Sequence, residues 1–427
     1  MFTNVLYRRY FVLKSDGQLL GYKNKPITSS EPCNNFTVRG CQTMKSESPK
    51  PCGFALRGLY METVVERIFH TESDSDRTDW IKSIEAVRNN LEGPPLPVFD
   101  EPEILVNNES KVTMEDFELL KVLGRGAFGK VVLCREKTSR TMYAMKILKK
   151  SAVFQGKEME HTLTENRVLQ TIRHPFIVGL KYSFTTEDRL CFVTEYVSGG
   201  ELFIHLRNER NKRFTEDRTR FYAAEIVCAL GYLHKRGIIY RDLKLENLLL
   251  DKNGHIKMVD FGLCKDEIFG NKVTNTFCGT PSYLPPEVIC NMQYGKTVDW
   301  WGLGVVMYEL LTGQLPFYHE EKKRMYRLIV TEKVLYPRIV SPEAREFISK
   351  LLTKNPDRRL GSLTDAEEVM EQPFFAAIDW SDLKKKRLIP PFKPEVGERK
   401  LLRGVEVNID CCLFSAHRRA GHSLRGP

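Results

Sequence analysis

Tyr240-Arg241-Asp242-Leu243-Lys244-Leu245-Glu246-Asn247, followed by Asp260-Phe261-Gly262, is the stretch on which the reading of this chain turns. Moving a phosphoryl group takes little covalent help from a protein. It takes a hydroxyl held in line, metal ions bridging the phosphates, and cations on the developing charge. Each need has a residue of the right type here. Asp242 suits the proton of an acceptor hydroxyl, Asn247 and Asp260 are hard oxygen donors for Mg²⁺, and Lys244 suits the transferred group. Any one of them alone would read as a polar residue solvating a loop. In this order and spacing they read as the core of a phosphoryl-transfer enzyme.

The pattern resembles that of protein kinases, whose signature runs His/Tyr-Arg-Asp-Leu-x-x-x-Asn and then Asp-Phe-Gly. Three distant stretches carry the resemblance further. Leu123-Gly124-Arg125-Gly126-Ala127-Phe128-Gly129-Lys130-Val131 is a glycine-rich loop whose small residues let backbone N–H groups approach phosphate oxygens. A dinucleotide-binding reading needs a helix to open at the last glycine. Val131-Val132-Leu133-Cys134 instead continues as a strand, so strand-loop-strand is expected. Lys146 is the one cation in the apolar strand Tyr143-Ala144-Met145-Lys146-Ile147-Leu148, and Glu165 lies on a helical stretch where it can pair with it.

What the resemblance implies can be carried over residue by residue. ATP is expected to be contacted by Leu123, Gly124, Gly126, Gly129, Val131, Ala144, Lys146, Thr194, Glu195, Val197, Glu201 and Asp260, with Thr194 as gatekeeper at the end of the smaller lobe. Asp242, Lys244, Asn247, Lys146 and Glu165 are the implied catalytic residues, and Asn247 and Asp260 the Mg²⁺ ligands. Asp299, Trp301 and Gly304 fit the D-x-W-x-x-G pattern that anchors the catalytic loop from behind. Thr276 matches the activating phosphosite, set by an upstream kinase and paired with Arg241. Thr280 matches the threonine that bonds Asp242 and Lys244 in Ser/Thr kinases. Glu201, Glu246 and Thr280 are expected to meet protein substrates bearing an upstream arginine, whereas a third family acid falls on Arg327. Ser282 and Pro285 depart from the family's glutamate and alanine. The alternative weighed is a silent pseudokinase acting as a lipid-tethered scaffold, but Lys146, Asp242 and Asp260 are all retained.

The fold expected is multidomain α+β. Residues 1–92 read as a small β-barrel closed by a helix. Strands are expected at Tyr7–Lys14, Gln18–Lys23, Asn35–Arg39, Phe54–Tyr60 and Thr63–His70, and a helix carries the stripe Trp80, Ile84, Val87. Arg9-Tyr10-Phe11, Asn34-Asn35-Phe36 and Glu66-Arg67-Ile68-Phe69 resemble the pleckstrin homology domain of the Akt (protein kinase B) family. That resemblance implies phosphoinositide contacts at Arg9, Asn34 and Arg67. The family's first strand is not represented, so an open sheet edge and weakened lipid binding are expected. Residues 93–114, with Pro94, Pro95, Pro97 and Pro102, read as a linker, 115–375 as a bilobal kinase domain, and 376–427 as an incomplete kinase tail without order after 396.

Composition sets outer limits. A length of 427 residues with 42% apolar content supports more than one core, and a net charge of +10 permits anionic partners. No basic run is interleaved with aromatics, so nucleic acid is not expected. Eleven cysteines without metal-type spacing, and no signal-peptide or membrane-spanning run, point to a reduced cytoplasmic compartment with recruitment to the plasma membrane by lipid binding.

Overall fold

The computed structural model describes residues 7–395, apart from 28–29, 39–40, 48–49, 61–62, 92–111, 127, 154–157 and 270–271, together with 412–414. The linker expected over 93–114 lies outside the described residues except for its last three positions. In the N-terminal domain, β1 (Tyr7–Leu13) turns into β2 (Gln18–Tyr22) through Ser15-Asp16-Gly17. Gly17 sits there at φ +83°, a region open to glycine, and the Asp16 carboxylate accepts from Gln18 N at 3.0 Å. β3 (Asn34–Thr37), β4 (Gln42–Ser46), β5 (Gly53–Tyr60) and β6 (Thr63–Thr71) follow. β4 has no sequence signal, because Gln-Thr-Met-Lys-Ser lacks an apolar alternation. The helix α1 (Asp74–Leu91) lays Trp80, Ile81, Ile84 and Val87 on Leu19, Phe54 and Phe69, as its 3.6-residue stripe predicts.

Two expectations are corrected here. The edge of β1 is not open, and the tail is not without regular structure. β14 (Cys412–Phe414) runs between β1 and β6, parallel to both, pairing Tyr7 with Cys412 and Phe69 with Cys412. An exposed strand edge presents unpaired N–H and C=O groups that any extended segment can satisfy, whatever its side-chain periodicity.

The smaller kinase lobe is a five-stranded antiparallel sheet in the order β10-β11-β9-β8-β7, built from β7 (Phe117–Arg125), β8 (Gly129–Glu136), β9 (Met142–Lys149), β10 (Leu180–Thr185) and β11 (Arg189–Glu195). Between β9 and β10 lie α2 (Lys150–Val153) and α3 (Glu158–Thr171). The larger lobe holds α4 (Leu202–Asn208), α5 (Glu216–His234), the ribbon β12 (Leu248–Leu250) and β13 (Ile256–Met258), and then α6 (Pro286–Ile289), α7 (Thr297–Thr312), α8 (Lys322–Thr331), α9 (Pro342–Leu351), α10 (Ala366–Met370) and α11 (Trp380–Lys384). α7 is apolar on every face and buried from Val298 to Leu311, as expected of the lobe's central helix.

The two domains touch along β7. Buried Gln42 donates to the Phe117 carbonyl at 2.9 Å, and Arg57 joins Glu66 of its own domain to Glu118 of the lobe at 2.6 Å. Gln42 is the side chain that ties β4, the strand without a sequence signal, to the kinase domain.

Candidate active site

The catalytic loop is held from behind by one carboxylate. Asp299, in the first turn of α7, accepts from the backbone N–H groups of Tyr240 (2.9 Å) and Arg241 (2.8 Å) and from His234 Nε2 (2.8 Å). Arg241 at φ +68° and Asp260 at φ +58° occupy the left-handed region, which disfavours side chains with a Cβ. Such conformations persist where surrounding bonds over-determine them, and the paired N–H groups around Arg241 do so. The sequence pattern named Asp299; it had no signal for His234, which is enclosed between Asp299 and Asp365.

With the loop so fixed, the expected catalytic residues converge. Buried Asp242 accepts from Lys244 Nζ at 2.7 Å, Thr280 Oγ1 at 2.7 Å and Asn247 Nδ2 at 2.9 Å, and Lys244 also donates to Thr280 Oγ1 at 2.9 Å. Because Asn247 spends its amide nitrogen on Asp242, the amide oxygen is what it has left to offer a metal. On the opposite wall Lys146 donates to both oxygens of Glu165, at 2.7 and 2.8 Å, and lies 3.4 Å from Asp260. Desolvation opposes the Lys146 ammonium, but the charges of Glu165 and Asp260 outweigh it and raise its pKa. In turn the Lys146 charge, against desolvation, lowers the Asp260 carboxyl.

The glycine-rich loop divides into two roles. A Cβ on Gly124 would meet nothing within 4 Å, and on Gly126 only the Gly129 carbonyl at 4.0 Å, so the chain leaves open space there for phosphate oxygens. At Gly129 a Cβ would stand 2.1 Å from the Ile147 carbonyl oxygen. Packing of β8 on β9 therefore requires that glycine, independently of any ligand. Val131 pairs with Lys146 in register, Leu133 with Ala144, and Ala144 with Thr194, whose hydroxyl donates to the Ala144 carbonyl at 3.3 Å. Leu123 lies exposed at the lip and Val197 is buried at the hinge. The Glu195 carboxylate is taken by Lys257 (2.6 Å) and Gly179 N (2.9 Å), which leaves only its backbone for a nucleotide.

In the activation segment the expected link between Arg241 and Thr276 runs through a residue the sequence reading missed. Tyr294 donates its hydroxyl to the Thr276 carbonyl at 2.6 Å and accepts from Arg241 Nη1 at 3.1 Å. A lone tyrosine in an irregular stretch carries no signal for this. Pro285 has φ −78°, close to what its ring imposes, and caps α6 without strain. Behind it, fully buried Arg359 grips Glu287 at 2.6 and 2.8 Å.

Of the residues expected to meet substrate, Glu201 and Glu246 are both exposed and have no basic partner among the described residues. Desolvation and then the Glu246 charge raise the Glu201 carboxyl. Arg327 lies exposed on α8. The positions expected to bind lipid sit on three separate strands, Arg9 on β1, Asn34 on β3 and Arg67 on β6, where the Arg67 guanidinium rests 4.0 Å over the Phe36 ring.

Comparison with known proteins agrees with both domains. The protein kinase domain family matches residues 117–375 and the PH domain family residues 6–88. RAC-beta serine/threonine-protein kinase of Homo sapiens is 52% identical over 408 residues, covering 91% of this chain and 84% of that protein. RAC serine/threonine-protein kinase of Drosophila melanogaster is 52% identical over 422 residues, covering 91% of this chain and 69% of that protein. RAC-beta serine/threonine-protein kinase B of Xenopus laevis is 51% identical over 412 residues, covering 91% and 84%. Identity at this level across both domains, with the phosphoryl-transfer geometry assembled, places the chain in the RAC (Akt) family of serine/threonine-protein kinases that carry a PH domain.

Proposed function

We propose that this kinase transfers the γ-phosphoryl of ATP to Ser or Thr in protein substrates with an upstream arginine, is activated by phosphorylation at Thr276, and is recruited to phosphoinositide membranes. The observation that carries the substrate class is the pair Glu201 and Glu246: two exposed carboxylates, the first raised by desolvation and by the charge of the second, with no cation supplied by the described residues. A substrate guanidinium supplies it, bonding a carboxylate through two parallel N–H groups.

Asp242 orients the acceptor hydroxyl, fixed by Lys244, Thr280 and Asn247, while Lys146 holds the α/β-phosphates with Glu165 as its counter-charge. Asn247 and Asp260 fit Mg²⁺, a hard cation that takes one or two oxygen side chains together with phosphates. Among the described residues there is no cluster of three or more acidic, histidine or cysteine ligands that would make a self-sufficient protein cage. When bound, Mg²⁺ supplies neutralisation of the developing phosphate charge. A phosphate on Thr276 would order the segment opposite Arg241, whose Nη1 already reaches the Tyr294 hydroxyl. Arg9, Asn34 and Arg67 are the lipid contacts by resemblance. No described helix is long and apolar enough to cross a membrane.

The test is peptide kinetics with arginine or alanine three residues before the acceptor. Wild type is expected to lose about 10- to 100-fold in kcat/KM when that arginine is removed, as for a charge-assisted hydrogen bond. Glu201→Gln with Glu246→Gln should erase most of the difference. An arginine requirement untouched by the double substitution would overturn the reading.

A further inference from the structure

α8 buries Met325 and Ile329 in the larger lobe and packs against the turn Pro281–Tyr283 and against α6. Tyr326 lies on the cluster that contains Leu284 and Val288. These segments directly follow Thr280, whose hydroxyl donates to Asp242. α8 thus flanks the route by which an acceptor peptide reaches the catalytic aspartate.

Its outer face is cationic. Lys323, Arg324 and Arg327 are exposed and, at spacings of three and four, share one side of the helix. None of them has an acidic partner among the described residues. Helix physics opposes this arrangement on the outer face. Lys322 and Lys323 stand in the first turn, at the positive end of the helix dipole, where the acid nearest in the chain is the N-cap Glu321. Lys323 and Arg327, and Arg324 and Arg327, are like-charged neighbours at spacings that destabilise a helix. Local conflicts of this kind are expected where a binding requirement outweighs local stability.

We propose that this face of α8 receives an anionic side chain, a carboxylate or a phosphorylated residue, flanking the phosphoacceptor of the protein substrate. The proposal deepens the arginine-directed reading and rests on it: Glu201 and Glu246 take a guanidinium, and α8 takes an anion elsewhere on the same peptide. Preferred substrates then carry mixed charge. Arginine forks suit both carboxylate and phosphate, so the chemistry is shared and the test separates the two.

The test uses the full chain and peptides with the upstream arginine kept, in which every other flanking position is set in turn to Ala, Arg, Glu or phosphoserine. Wild type should prefer Glu or phosphoserine over Arg at one or more positions by about two- to fivefold in kcat/KM, the upper part of the range for exposed ion pairs. High salt should erase that preference, because the screening length falls to about 3 Å at 1 M. The triple substitution Lys323→Glu, Arg324→Glu, Arg327→Glu should invert it, and Arg324→Gln with Arg327→Gln should flatten it and serve if the reversed variant does not fold. A flat wild-type profile, or an anion preference surviving both variants, overturns the proposal. So does a loss of binding to anionic vesicles with peptide preference unchanged, which would make α8 a membrane contact. Glu246→Gln in the same series reports the arginine reading separately: loss of the arginine requirement's dependence on that acid, with the anion preference intact, indicts only the former.

Discussion

At the catalytic centre Asp242, Lys244, Lys146 and Glu165 meet their complements within the chain, while along the proposed substrate rim like charges stand together. Asp242 is bound by Lys244, Thr280 and Asn247, and Lys146 by Glu165. On the rim, Glu201 faces Glu246, and Lys323, Arg324 and Arg327 line one side of α8. The catalytic loop is preorganised; the rim is left incomplete, and on the proposed reading a substrate brings the missing charges. Self-satisfied networks mark positioning and unsatisfied like-charge clusters mark recognition.

Breaking the self-satisfied side should produce the largest effects. Asp242→Asn is expected to lower kcat by about 10²- to 10⁴-fold, the usual contribution of a positioned proton acceptor, measured by steady-state peptide phosphorylation. Arg359→Ala strands the buried Glu287 carboxylate and is expected to cost about 3–5 kcal/mol in urea unfolding. A loss below about 1 kcal/mol would show that this pair is not an essential complement.

His234 gives the comparison a pH handle. Burial disfavours its charged form, but hydrogen bonds and charges from Asp299 and Asp365 raise its pKa from 6.5 to about 9. A folded value above the unfolded one means that the stabilisation is complete below about pH 6.5 and is lost as pH rises through about 9, amounting to something on the order of 3 kcal/mol. Thermal unfolding should therefore fall across that window in wild type, and His234→Gln should flatten the slope. The smallest effect belongs to the rim. Lys323→Glu removes a repulsion and places an acid at the start of α8, so it should stabilise by about 0.3–1 kcal/mol in the same assay. Destabilisation would mean that the lysine has a complement within the protein after all.

The sequence by itself determined the domain order, the strands flanking the glycine-rich loop, the buried α7 and nearly every member of the catalytic cluster. Those are local properties: a period of 2 or 3.6, a spacing of five residues between Asp242 and Asn247, an apolar strand with one lysine. Tertiary structure alone decided the rest. His234 reaches Asp365 across 131 residues, Gln42 reaches Phe117 across 75, and Tyr294 joins Arg241 to Thr276 from an irregular segment. It also separated Gly129, required by packing, from Gly124, beside which space is open, although both belong to one motif. The pairing of Cys412–Phe414 with β1 and β6 was decided the same way, by unpaired backbone groups in space. Contacts between residues so far apart leave no periodic trace in the chain, because nothing in the intervening sequence has to repeat for two side chains to meet.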